Sequence, residues 1–392
     1  MKVYIITGTP FPVGMAPTNR IKCYAKAIES MGIECEVVMY LQTDIPLANH
    51  RGIYEGVRYN FVGKVIKRKS SIVRRIENTI DELRLLKYLN RVLEEGDIVI
   101  SYGATVGFTP IVVRAVHRRK AKFVLELVEL PYGTSSETPK MKKNRQRVLN
   151  QFVTYDGVIA ISQALADLAK ENIGPKGVVE KVPILVEYDK YCLPDRSNEV
   201  DVPYIFHSGS LYQQKDGFVG MIEAFGMLAT SYKGKVKFIS TGSLAKCPHQ
   251  EEVKRLIEKY DLQDKLVFTG YLDEAQLADY LSKACIVIIN KDDNQQNTYC
   301  FSTKLGEYMA AGKAVIITRV GEAINWLKDG YDARIIEPSN SQLLSQTILE
   351  LLENDGLRKR ISENARRSGR DYFDYHGYGK RFEDCFNKLN SI

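Results

Sequence analysis

The 392-residue chain holds a single tryptophan and lacks any apolar run near the roughly 18 residues that a membrane span needs. Nothing in it reads as a transmembrane segment. Its seven cysteines are scattered between Cys23 and Cys385 and form no Cys-x-x-Cys pair, which excludes a zinc ribbon and points to a reducing compartment. Its five histidines (His50, His117, His207, His249 and His376) are too dispersed for a ligand set, and no Asp-x-Asp triplet occurs, so no metal site is expected. The dinucleotide fingerprint Gly-x-Gly-x-x-Gly is also missing after the first apolar run, which argues against a nicotinamide or flavin cofactor. That run, Met1 to Thr7, soon meets Pro10 and Pro12 and reads as a first strand instead of a signal peptide. A cytoplasmic location follows as the expectation.

What is present is ordinary for a globular protein: 44% hydrophobic and 26% charged residues, in a length that suits two α/β domains better than one core. The net charge of +7 is unevenly spread. Lys and Arg outnumber Asp and Glu in the first half, in runs at 64–75, 114–122 and 140–147, while the remainder is slightly acidic. Such a face can serve anionic lipid, nucleic acid or plain solvation. No nucleic-acid motif accompanies it, so the expected partner is an anionic membrane surface, with peripheral attachment at the inner face, and not nucleic acid.

Short apolar strands alternate with helical patterns along the whole chain. In the first half they read as strands at 3–7, 36–40, 57–63, 98–101, 123–128 and 158–161, with helices at 19–31, 72–93, 106–118, 141–154 and 163–172. The second half continues with strands at 204–208, 236–240, 266–269 and 285–289 and helices between them. Alternation of this kind implies parallel, doubly wound sheets, in which ligands sit at the strand C-termini. The expected organisation is a first lobe at 1–186, a linker at 187–203 carrying Pro194 and Pro203, a second lobe at 204–370, and a helix at 371–392 that crosses back to the first lobe. An aromatic stripe from Tyr372 to Phe386 reads as core.

One stretch carries the most chemistry. Ser302, Thr303, Lys304 and Leu305 lead into Glu307, Tyr308, Met309, Ala310, Ala311 and Gly312, then into the apolar run Ala314 to Ile317. Ser302 or Thr303 can cap the helix and Gly312 can end it, before a buried strand. Lys304 adds charge at a helix start suited to phosphate, and Glu307 could accept from vicinal hydroxyls such as those of a ribose. The plainer reading is a capped helix with Glu307 solvated. The pattern Ser-x-Lys-Leu-x-Glu-Tyr-Met-Ala-x-Gly-Lys resembles the donor-site signature of the GT4 family of retaining glycosyltransferases. The family's other acidic residue would fall at Tyr299.

That resemblance implies a GT-B fold, two Rossmann-like lobes facing a central cleft. Gly209, Ser210 and Leu211 with Lys215 resemble the family's diphosphate clamp, with Ser210 in the place of an arginine. Gly242 falls at a glycine-rich turn and Tyr271, after Gly270, near the base. In the first lobe, Gly14 and Arg20 resemble the loop glycine and helix-start basic residue over the donor phosphates, and Glu129 is the acidic candidate for acceptor or sugar. The implied reaction moves a sugar from a nucleotide diphosphate sugar to a hydroxyl of a lipid-linked or surface glycan, with retention, using Lys215, Glu307 and Glu129 and needing no cofactor and no metal. Two rivals stay open: an epimerase or hydrolase acting on donor alone, and a non-catalytic carbohydrate-binding or scaffold subunit.

Overall fold

The computed structural model describes residues 1–41, 50–64, 71–134 and 136–391; part of the basic run at 64–75 lies outside them. The chain forms two compact units, residues 1–185 with 375–392, and residues 186–374.

The first unit is built on a parallel sheet. Its strands are β1 (Val3–Thr7), β2 (Cys35–Met39), β3 (Arg51–Tyr54), β4 (Val57–Phe61), β5 (Ile98–Tyr102), β6 (Lys122–Leu127), β7 (Gly157–Ala160) and β8 (Val178–Lys181), in the order β3-β4-β2-β1-β5-β6-β7-β8. Every residue of β1 and β7 is buried, as expected of a strand covered on both faces. Strand β3 departs from the sequence expectation. It pairs antiparallel with β4 through Glu55 and Gly56, both at positive φ. Arg51–Tyr54 shows no apolar alternation because this edge strand is partly solvated on both faces.

The final helix, Gly379–Asn390, belongs to this first unit. Phe382, Cys385, Phe386 and Leu389 recur at helical spacing and are buried, and the Phe382 ring meets Tyr24 edge-on at 4.7 Å. The expected aromatic stripe is therefore divided. Phe373 packs in the second unit against Phe301 and Trp326, whereas Tyr378, Phe382 and Phe386 join the first core.

The second unit carries β9 (Tyr204–His207), β10 (Lys237–Ser240), β11 (Leu266–Phe268), β12 (Ile286–Ile289), β13 (Ala314–Thr318) and β14 (Arg334–Ile336), in the parallel order β11-β10-β9-β12-β13-β14. The order reverses between β9 and β12, and this is where an open α/β sheet leaves a crevice at its strand C-termini. The segment 187–203 is not a free linker. Tyr188 and Tyr191 are buried, Arg196 pairs with Asp279 at 2.9 Å, and Asp195 pairs with the buried Lys313 at 2.6 Å, all inside the second unit.

Candidate active site in the second unit

The loop after β9 runs Ser208, Gly209, Ser210, Leu211, and the short helix Gln213–Asp216 follows. Asp216, almost fully buried, organises everything around it. Its Oδ2 accepts from the Ser210 amide at 3.0 Å and from the Ser210 hydroxyl, and its Oδ1 pairs with Lys304 Nζ at 2.5 Å. Ser210 therefore points at Asp216 and does not stand in for a phosphate-gripping arginine. Gly209 has φ +157°, a backbone that side chains rarely adopt, and a Cβ there would sit 2.3 Å from Lys304 Nζ.

A second lysine converges on the same carboxylate. Lys291, two residues beyond β12, is buried with Nζ 4.0 Å from Asp216 Oδ1. It donates to the Lys215 carbonyl at 3.1 Å and to Asn297 Oδ1 at 3.4 Å, so it holds the Lys215 turn from beneath. Lys215 itself lies on the exposed side of that turn. Two buried lysines thus share one carboxylate, with a third lysine above them. The electrostatics agree. Burial pulls the Lys304 ammonium below the ordinary lysine range despite its ion pair, with Lys291 adding repulsion. Burial alone would raise the Asp216 carboxyl, but Lys304 and Lys291 hold it well below the usual carboxylate range. His207, fully buried beneath them, is pushed down to about 4 by burial and by Lys304, and so is neutral near pH 7. Two ammonium groups converging on one buried carboxylate at a strand C-terminal edge form an arrangement that suits a polyanion.

The helix expected at 302–312 is shorter, Lys304–Ala310, and Thr303 makes no side-chain cap. Ser302 is buried, and its carbonyl accepts from the Leu305 amide at 3.1 Å. Leu305 is buried in the core, so its side chain faces away from solvent. A helix this short supplies little dipole; the positive charge comes from lysine side chains. Gly312 does adopt the left-handed stop, at φ +63°. Tyr308, fully buried, accepts from the Ser208 amide at 2.7 Å and ties this helix to the β9 loop. Glu307 is half-buried, and burial pushes its carboxyl up to about 7, opposed by Lys304.

Gly242 and Gly270 exchange backbone hydrogen bonds at 2.8 and 2.9 Å, while Thr241 accepts from the Gly209 amide at 2.8 Å. Tyr271 beside them is 71% exposed and can present its ring to a base. The structure therefore gathers Gly209, Lys215, Gly242, Lys304 and Glu307 at the C-terminal edge of one sheet. Asp216, Lys291 and Tyr308 were given no site role in the sequence reading. A lysine two residues after the apolar run 285–289 was the available signal for Lys291.

Gly14, Arg20 and Glu129 belong to the first unit. Gly14 packs against Thr18, where a Cβ would fall 2.0 Å from the hydroxyl. Arg20 is not an exposed helix-start cation. It is buried, donating to Glu126 at 2.6 Å, to the carbonyls of Pro183 and Val182 at 2.6 and 2.9 Å, and to Tyr24. Glu126 holds an ionised partner against its own burial, which raises its carboxyl. Glu129 is exposed on the loop after β6. Among the described residues no group of three or more His, Cys, Asp or Glu could hold a metal, and no helix is long and apolar enough to cross a membrane.

Residues 194–368 match the family described as glycosyl transferases group 1. The second unit is a glycosyl transferases group 1 domain. Over 250 residues the chain is 26% identical to an uncharacterized glycosyltransferase of Methanocaldococcus jannaschii, covering 61% of this chain and 60% of that one. The chain thus spans well under two thirds of this curated relative. Among solved structures, a sucrose-phosphate synthase from Thermosynechococcus elongatus superposes with a TM-score of 0.77 at 15% identity, covering 100% of this chain and 99% of that one. Anabaena HepE in complex with UDP and glucose gives 0.73 at 15% identity, with 99% of both chains covered. At such identities these neighbours establish the GT-B fold, two Rossmann-like lobes.

Proposed function

We propose that the protein is a retaining glycosyltransferase that carries a sugar from a nucleotide diphosphate sugar to a hydroxyl of a lipid-linked or cell-surface glycan at an anionic membrane surface. The observation that carries this reading is the convergence of Lys291 and Lys304 on the buried Asp216 carboxylate, directly beneath the turn that carries Lys215. In such a transfer the bond from the anomeric carbon to the diphosphate oxygen breaks, the bond to the acceptor oxygen forms on the same face, and the departing phosphate takes the acceptor proton. Negative charge accumulates on the diphosphate, and fixed cations beside it lower the barrier. Lys215 and Lys304 serve that charge here, without a metal ion. Glu307 accepts from the ribose hydroxyls, Tyr271 flanks the base, and Glu129 faces the acceptor.

HepE was solved with UDP and glucose, so UDP-glucose is the first donor to try. Thermal-shift screening over nucleotide diphosphate sugars, followed by turnover with acceptor, tests the reading. Lys215→Ala should lose about a hundredfold in kcat/KM, the scale of removing one stabilising group from a developing oxyanion. Turnover surviving saturating EDTA supports the lysine account. Sugar release or epimerisation without acceptor would turn the assignment to a hydrolase or epimerase, and the absence of any nucleotide stabilisation would turn it to a scaffold.

A further inference from the structure

The helix Ser71–Val92 in the first unit is two-sided. At 3.6 residues per turn, Asp81, Leu85, Tyr88 and Leu89 share the face that enters the core, where the Tyr88 hydroxyl donates to Glu36. The opposite face should be polar on a helix packed against a single core. Instead it carries Val73, Ile76, Ile80 and Leu83, which are 50%, 59%, 42% and 59% exposed. Their spacing of three, four and three residues makes one continuous stripe along three turns. Isolated exposed aliphatics are normal, but an aligned run of four on one helix marks a contact surface.

Charge decides what it contacts. Arg75, Lys87 and Arg91 are exposed on or beside the arc centred on Ile76 and Leu83, which bears no carboxylate; Glu77 and Glu82 lie on its half-buried flanks. An apolar stripe with cationic margins fits the interface of an anionic bilayer, where aliphatic side chains enter the acyl boundary and ammonium and guanidinium groups meet phosphates. A second copy of this chain would instead set like charges against each other.

We propose that the exposed face of helix Ser71–Val92 is the element that seats the protein on anionic lipid. This deepens the membrane part of the proposed function and rests on it, but it is independent of the donor assignment. The test is co-sedimentation of the full chain with vesicles of phosphatidylcholine and phosphatidylglycerol in equal parts, against vesicles of phosphatidylcholine alone. Wild type should pellet with the first and not the second. The double variant Ile76→Glu, Leu83→Glu should bind at least about tenfold more weakly, and Lys87→Gln with Arg91→Gln should lose about fivefold per charge removed. Both variants alter exposed positions, and an unchanged unfolding transition of the first unit in calorimetry verifies that they remain folded. Equal binding by wild type and the Glu variant, or no preference of wild type for anionic vesicles, overturns the proposal. A wild-type dimer that the Glu variant converts to monomer overturns it in favour of a second copy. Vesicle binding without nucleotide stabilisation would sustain the helix assignment while sinking the donor reading.

Discussion

Asp216 shows how one buried carboxylate can fix a site for anions. Replacing it with Asn leaves Lys304 and Lys291 buried without a counter-charge, and breaking a buried pair in this way costs about 3–5 kcal/mol. Asp216→Asn should accordingly lower the unfolding midpoint of the second unit in denaturant. The pH dependence has a definite sign. Because the folded carboxyl titrates below its unfolded value, its stabilisation is present above the ordinary carboxylate range and is lost as pH falls from that range through the lower folded value, so acid should selectively weaken this unit. Glu307 behaves in the opposite sense. Its carboxyl titrates at about 7, so the acceptor-only ionised form grows as pH rises through neutrality. KM for the donor should therefore fall between roughly pH 6 and 8, and Glu307→Gln should flatten that profile. A profile unchanged by the substitution would remove Glu307 from the nucleotide site.

At the scale of elements, one buried arginine links the helix Ala16–Glu29 to two separate strands of the first unit. Arg20 reaches Glu126 on β6 and the carbonyls of Val182 and Pro183 beyond β8, which ties the helix across the sheet. Arg20→Met should destabilise this unit by about 3–5 kcal/mol, because Glu126 is left buried and charged. Nucleotide-induced stabilisation of the second unit should be unaffected. The same arginine illustrates what a sequence can disclose. Val3–Thr7 and Ala314–Thr318 were legible because a strand covered on both faces must be apolar throughout. Arg51–Tyr54 and Arg334–Ile336 were not, because short edge strands need no such run. Lys304 and Glu307 were singled out by a local helix-start pattern and Lys215 by resemblance to a family motif, whereas the Lys304 to Asp216 pair joins residues 88 apart and Arg20 to Glu126 joins residues 106 apart. Only the fold brings those partners together, and they decided whether each charge is available to a ligand or consumed within the protein.

At the scale of the whole molecule, the chain builds most of one unit, completes the other, and then returns. Truncation after Asp374 removes Phe382, Phe386 and Leu389 from the first core, each worth about 1.5–3 kcal/mol of burial. Calorimetry of that variant should show an early or missing transition for the first unit, with the nucleotide-responsive transition of the second retained. The route of the chain also orders its birth. A polypeptide leaving the ribosome presents residues 1–185 first, yet their core stays open along the face of Tyr24 until residues 375–391 have emerged. The second unit, synthesised in between, can close as soon as residue 374 is clear. The part made first is thus the part finished last, and its unfilled apolar face is what a nascent-chain chaperone would find during translation.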